Sequence, residues 1–439
     1  MSQTAAQVTD LGTTNQTAIN KKSVFAGLAG IFVELYDNAI YGFLAGILAP
    51  VFFPQADPAT GTLLALVAFG IPFFIRPLGA AIGGYWGDKI GRRRVLIVLV
   101  TMMSVATGLI GVLPSAATIG IAAPIFLVLL RFIQGFSMGA ETGNGNSYLA
   151  ENAPQNKRGQ VVSYANGATF IAMMCGTLLA AALTAGLGTQ AMTEWGWRVP
   201  FLIAFPLGIA ALFLRLSAGE SPEFDKVKDD GLVVGNPLRE AFANRDARRG
   251  MLLTIVLPLF NSSGYFVLFI YMPSFMSSQL KFSAVEGLMV TGAALLVGAG
   301  TSLLAGRLSD RFGRKPLLAG SSGLMVLCGF PCYLLLTQGS VVFALLGAII
   351  MSVIFSGTFG VVQTAMTELF PTRIRTAAYG FGYNCGTAIF GGAAPALIAF
   401  LIGVTGSIWV PAAYLVLTSA IACTTALRIR ETAFVPLPK

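Results

Sequence analysis

The sequence predicts an all-α membrane protein with twelve transmembrane helices, and three observations predict it. Only 11% of the 439 residues are charged, against roughly 25% in a soluble globular protein, so an ordinary cytosolic enzyme is excluded. The mean hydropathy is +0.76, and the apolar residues run in continuous stretches without the period-two alternation of barrel strands. Those stretches number twelve, each close to the ~20 residues that cross a hydrocarbon core roughly 30 Å thick.

In order, the predicted spans are 24–50, 62–86, 95–113, 119–149, 159–187, 197–216, 250–278, 285–306, 316–335, 340–368, 376–403 and 408–427. The first follows Lys21 and Lys22 but is much longer than the apolar core of a signal peptide, so it reads as a retained span. Residues 1–22 are polar and read as a disordered N-terminal tail. The longest polar insertion, 217–249, carries mixed charges and reads as a surface linker. It separates two six-helix halves, 23–216 and 250–428, and 429–439 form a C-terminal tail.

The net charge of +9 would suggest a nucleic-acid partner in a soluble domain, but here the basic residues fall in short loops on alternate sides. Lys89, Arg92 to Arg94, Lys157, Arg158, Arg307, Arg311, Arg314, Lys315, Arg373 and Arg375 share one side. The opposite loops, around Asp57, Ser115, Thr193, Lys281, Gly339 and Gly406, hold almost no Lys or Arg. The positive-inside rule makes the basic side the cytoplasm and places both termini there. No nucleic acid is expected as a partner.

Five cysteines, an odd number without ligand spacing, all lie in apolar segments and read as packing residues, with no metal site. There is no His, so proton handling falls to carboxylates. Gly135-Phe136-Ser137-Met138-Gly139 matches the hydrolase nucleophile elbow, but it lies in an apolar helix with no His to activate the serine, and reads as a packing face. No phosphate loop is present, so ATP is not expected to drive the protein.

The halves repeat. Gly87-Asp88-Lys89-Ile90-Gly91-Arg92-Arg93-Arg94 recurs as Ser309-Asp310-Arg311-Phe312-Gly313-Arg314-Lys315-Pro316, and Glu151, Pro154 and Arg158 recur in the same spacing as Glu368, Pro371 and Arg375. The first of these loops resembles the signature loop of the major facilitator superfamily. Four further stretches resemble its metabolite:proton symporters, carriers of shikimate, α-ketoglutarate, citrate, proline or betaine. They are Glu34-Leu35-Tyr36-Asp37 with Tyr41-Gly42, Arg76-Pro77-Leu78-Gly79, Arg131 to Glu141, and Gly382-Tyr383-Asn384 through Gly391-Gly392-Ala393-Ala394-Pro395. Leu35 and Asn38 replace aromatics of that pattern, and Thr142-Gly143-Asn144-Gly145-Asn146 is more polar than it. The resemblance implies two six-helix bundles around a central cavity that opens alternately to either side. It also implies that Asp88, Arg92 and Glu151, with their counterparts Asp310, Arg314 and Glu368, form a cytoplasmic gate.

A charge at a helix centre costs roughly 2.5–3.5 kcal/mol on insertion scales, so each one needs a partner or a function. Glu34 and Asp37 lie one turn apart, with Asn38 and Tyr41, in a polar stripe expected to face the cavity. Either acid carries the coupled proton, or both are fixed in ion pairs that set helix packing. Arg76 and Arg131 suit a substrate carboxylate through bidentate hydrogen bonds, or pair internally. Glu141 is expected to support the fourth helix within its own bundle. Tyr41, Gln134, Asn166, Tyr265 and Asn384 are further substrate-site candidates, with Asn144, Asn261 and Gln363, because a polar side chain facing lipid would lose its partners.

The expected function is proton-coupled uptake of a small organic acid by a secondary transporter in a bacterial inner membrane. It works by alternating access, is powered by the proton gradient without a cofactor, and acts as a monomer. A zwitterionic solute such as proline or betaine is the alternative substrate, and a drug/proton exporter or a non-transporting sensor are alternative roles.

Overall fold

The computed structural model describes residues 21–435 and 437, except 91, 152 and 218–236. The tail at 1–20 and most of the linker lie outside the described residues, as do the side chains of Asp88, Arg92, Asn144 and Glu151. Every regular element among the described residues is helical.

Among the described residues, nine helices are long and apolar enough to cross a bilayer: Pro58–Gly83, Ala122–Ser147, Arg158–Gly196, Arg245–Gln279, Ala284–Phe312, Arg314–Leu336, Val341–Thr367, Ile374–Thr405 and Val410–Arg428. The pair Leu28–Phe43 and Ala45–Phe52, bent by 66°, adds one more, and the shorter apolar helices Ile97–Val112 and Arg198–Leu214 complete twelve. They are called spans one to twelve in chain order. Large apolar side chains such as Phe74, Leu327 and Val342 are exposed on the outer faces. In water such a surface would aggregate, whereas in a bilayer it meets acyl chains.

The spans depart from uniform helices in ways the hydropathy pattern does not show. Span one breaks at Leu44 between Gly42 and Gly46, residues that leave a helix at low cost. Spans seven and eleven each contain a π-helical turn, Phe266–Tyr271 and Ala388–Gly392. Both turns precede a proline, Pro273 and Pro395, whose ring would clash with the carbonyl four residues earlier, and the wider turn relieves that crowding. Span seven starts at Arg245, where Asn244 caps it by accepting the Asp246 and Ala247 amides. The last five residues of the predicted linker are therefore its first turn.

Spans two and four pack backbone to backbone. A Cβ on Gly139 would lie 2.0 Å from the Arg76 carbonyl oxygen, and one on Gly135 would lie 2.4 Å from Pro72. The small-residue face of Gly135 and Gly139 thus brings span four against the turn that carries Arg76. The first and last six spans meet through Phe73 and Phe266, 4.7 Å apart edge to face, and through Gly70 against the Gly392 carbonyl. The largest buried apolar cluster runs across both halves.

Candidate functional site

Two buried charged clusters sit in the first six spans, and the tertiary fold separates what the sequence placed on one stripe. In the first, the Arg76 Nη2 lies 3.6 Å from Glu34 Oε1 and 3.5 Å from the Met138 sulfur, and its guanidinium sits 4.4 Å from the Phe73 ring centre. Phe73, over which Arg76 rests, meets Phe266 of span seven, and Tyr265 packs against that same ring at 4.9 Å, so this cluster lies beside the second half of the chain. The Asn384 amide reaches across to the Gly139 carbonyl at 3.5 Å. Arg76 Nε, the Tyr265 hydroxyl and Asn384 Oδ1 are buried without a hydrogen-bond partner among the described residues. Buried polar atoms of this kind are costly unless a ligand or water meets them.

In the second cluster Arg131 donates to Gln134 Oε1 at 3.0 Å, to the Phe69 carbonyl at 3.1 Å and to Asn38 Oδ1 at 3.5 Å. It stacks over Tyr41 at 4.3 Å. Gln134 donates to Asp37 Oδ2 at 2.7 Å and to the Thr107 hydroxyl at 2.9 Å. Every one of these partners belongs to spans one to four, so Arg131 and Asp37 are held inside the first half. Asp37 Oδ1 and the Tyr41 hydroxyl find no partner among the described residues. Glu141 is buried on span four. Asn166 donates to the Phe359 carbonyl in span ten at 2.9 Å, and the Phe359 ring stacks on Tyr265 at 6.1 Å. Asn261 is buried on span seven, and Gln363 accepts from the Tyr379 hydroxyl.

At the basic end of the molecule a buried ionic latch joins the halves. Glu368 accepts from Arg158 at 2.7 Å and from Arg314 at 3.2 Å, and Arg314 also binds Asp310 at 2.9 Å. Asp310 in turn accepts the Gly159 and Gln160 amides, each at 2.8 Å. It thereby caps the N-terminus of span five from the opposite half, where unpaired N–H groups and the helix dipole favour a carboxylate.

A second carboxylate does the same for span nine. Glu431, beyond span twelve, accepts the Arg314 amide at 2.8 Å and the Lys315 amide at 3.0 Å, while Thr432 donates to Glu368. Gly313 at φ +101° makes the sharp entry to span nine, a left-handed backbone that disfavours any side chain. A family model described as Major Facilitator Superfamily matches residues 27–395. The chain belongs to that superfamily.

A glycine betaine/proline/ectoine/pipecolic acid transporter of Dickeya dadantii is 34% identical over 424 residues, covering 95% of this chain and 84% of the relative. A citrate-proton symporter of Klebsiella pneumoniae is 32% identical over 380 residues, covering 86% and 84%. Among solved structures, the xylose transporter of E. coli in a partially occluded inward-open conformation superposes with a TM-score of 0.73 at 20% identity, covering 94% of this chain and 98% of that one. Within the superfamily the chain is a metabolite:proton symporter type, a multi-pass membrane transporter and not an enzyme.

Arg76, Glu34, Tyr265 and Asn384 thus lie at the junction of the halves, whereas the described partners of Arg131, Asp37, Gln134 and Tyr41 lie in the first half. Arg158 joins the latch although only its repeat spacing marked it in the sequence. Met138, Phe73 and Phe266 gave no signal, because apolar residues in a span look alike whichever neighbour they face.

Proposed function

We propose that this transporter takes up a small carboxylate-bearing solute together with protons, drawing on the proton gradient and needing no cofactor. The observation that carries the reading is Arg76, a buried guanidinium at the junction of the halves with its Nε unpartnered among the described residues. Its planar fork suits a carboxylate. An organic acid uses Arg76 as its charge partner, in keeping with a citrate-proton symporter among the relatives. A zwitterion is the second reading, favoured by one observation: Glu34 stands 3.6 Å from Arg76, which offers an acid for an ammonium beside the arginine for a carboxylate. The Dickeya relative, named for betaine and proline, supports it.

With no His in the chain, the coupled proton travels on Glu34 or Asp37. The two bodies of the transport cycle are residues 23–216 and 250–428, with the basic end and both termini in the cytoplasm of a bacterium. Asp88, Arg92 and Glu151 complete the gate begun by Asp310, Arg314 and Glu368, and the protein acts as a monomer.

Purified protein in liposomes under an imposed pH gradient tests this with a panel of keto- and hydroxy-acids, citrate, shikimate, proline and betaine. Proton-coupled flux with one carboxylate class supports the reading and chooses between its two forms. Flux of none of them overturns it.

A further inference from the structure

In the polar tract Thr142-Gly143-Asn144-Gly145-Asn146 the last residue reaches across the molecule, away from both the ionic latch and the Arg76 cluster. Asn146 Nδ2 in span four donates to the Tyr379 hydroxyl in span eleven at 3.0 Å, and that hydroxyl donates to Gln363 Oε1 in span ten. Tyr379 is fully buried and Gln363 nearly so. Gln363 precedes Glu368 by five residues, as Asn146 precedes Glu151, which sets the chain of hydrogen bonds about 7.5 Å inward of the latch along the helix axes.

We propose that Asn146, Tyr379 and Gln363 form an uncharged inner gate, in series with the ionic latch, that must open before a solute leaves toward the basic end. Three features support it. The Asn146–Tyr379 bond joins the two halves, so it breaks whenever those halves separate at this end, while Gln363, in the same half as Tyr379, holds the hydroxyl in place for it. Asn146 Oδ1, the Ser147 hydroxyl and the Thr364 hydroxyl beside them are buried without partners among the described residues. The closed gate therefore forgoes hydrogen bonds that water would restore on opening, and a modest bias tips it. The gate is also tied to the proposed solute site, because the Tyr379 ring stacks on Tyr383 at 5.9 Å and Tyr383 adjoins Asn384 in the chain. Asn166, holding the Phe359 carbonyl beneath Tyr265, is a second uncharged tie across the halves.

Hydrogen–deuterium exchange of the full chain in lipid nanodiscs tests this without any solute, so the outcome does not depend on what the protein carries. Asn146→Ala should raise exchange in peptides covering 142–151 and 363–379 by about three- to ten-fold, the weight of one hydrogen bond, and Tyr379→Phe by at least as much, because it removes the bond to Gln363 as well. The double variant should not exceed Tyr379→Phe alone, since that variant already removes the bond that Asn146→Ala removes. The rise should be the same at low and high salt, because no charge is screened. Gln363→Met, which keeps the volume and removes the acceptor, should act in the same direction. Unchanged exchange in Tyr379→Phe and Gln363→Met overturns the gate. So do additive effects in the double variant, or a rise spread evenly over all spans, which would mark general loosening.

Discussion

Glu34 and Arg76 face each other at 3.6 Å where the two halves meet, while Asp37, three residues further on, turns to Gln134 at 2.7 Å inside the first half. One helical turn thus separates an acid paired at the junction of the halves from one bonded inside the first half.

Arg76→Lys should weaken solute binding by about 10- to 100-fold, because a charged hydrogen bond contributes roughly 1.5–3 kcal/mol and an ammonium cannot reproduce the fork. Calorimetry or scintillation proximity with the solute found in liposomes measures it. Affinity within two-fold of the unaltered protein would remove Arg76 from the site.

Asp37→Asn should abolish uphill accumulation and preserve counterflow exchange, because the amide oxygen can still accept from Gln134 but the amide cannot carry a proton. Glu34→Gln should instead alter solute affinity as well. The two variants are compared by pH-driven uptake and by exchange at equal pH. Full pH-driven accumulation in Asp37→Asn would assign the proton to Glu34.

Gly139→Ala should lower thermal stability in detergent by about 1–3 kcal/mol, the usual cost of overpacking, because its Cβ would meet the Arg76 carbonyl oxygen at 2.0 Å. Gly46→Ala has open space around it and should be neutral or slightly stabilising, since alanine favours helix. Equal effects at both sites would mean that spans two and four tolerate separation.

Glu431 tests the strap beyond span twelve. Partial burial raises its carboxyl, but four backbone N–H groups, those of Ala433, Arg314, Lys315 and Thr432, outweigh this and hold it below the ordinary glutamate value. A depressed carboxyl stabilises the folded form at neutral pH, and that contribution is lost as the pH falls through its folded value. Exchange protection at the start of span nine should therefore fall on acidification in the unaltered chain. Glu431→Gln should show the lower protection already at neutral pH and a flatter pH dependence. A pH profile identical in the two would mean that the strap does not hold span nine.

Much of the architecture is readable from composition and repeats, because each span must satisfy its own backbone in lipid and does so within one continuous apolar segment. The same requirement explains why Glu34, Arg76, Arg131 and Asp37 stand out, since a charge in such a segment needs a partner. Their partners are not readable in that way. Asp310 and Arg314 announced themselves by repeating Asp88 and Arg92, whereas Glu431 and Thr432 lie in a tail without a repeat. Tyr379, Asn146 and Gln363 belong to three different spans, and although Asn146 and Gln363 each sit five residues before a repeated glutamate, no spacing marks Tyr379 as the partner of both.

The sequence by itself determined the twelve spans, the twofold repeat, the family and the set of groups able to handle charge. Only the tertiary structure decided that Arg76 and Glu34 face the second half while Arg131 and Asp37 are enclosed in the first, and that Asp310 and Glu431 each cap a helix far away in the chain. Segment hydropathy is a local property of some twenty residues. Which face of a helix meets which neighbour depends on crossing contacts such as Gly139 against Arg76, made between residues remote in sequence.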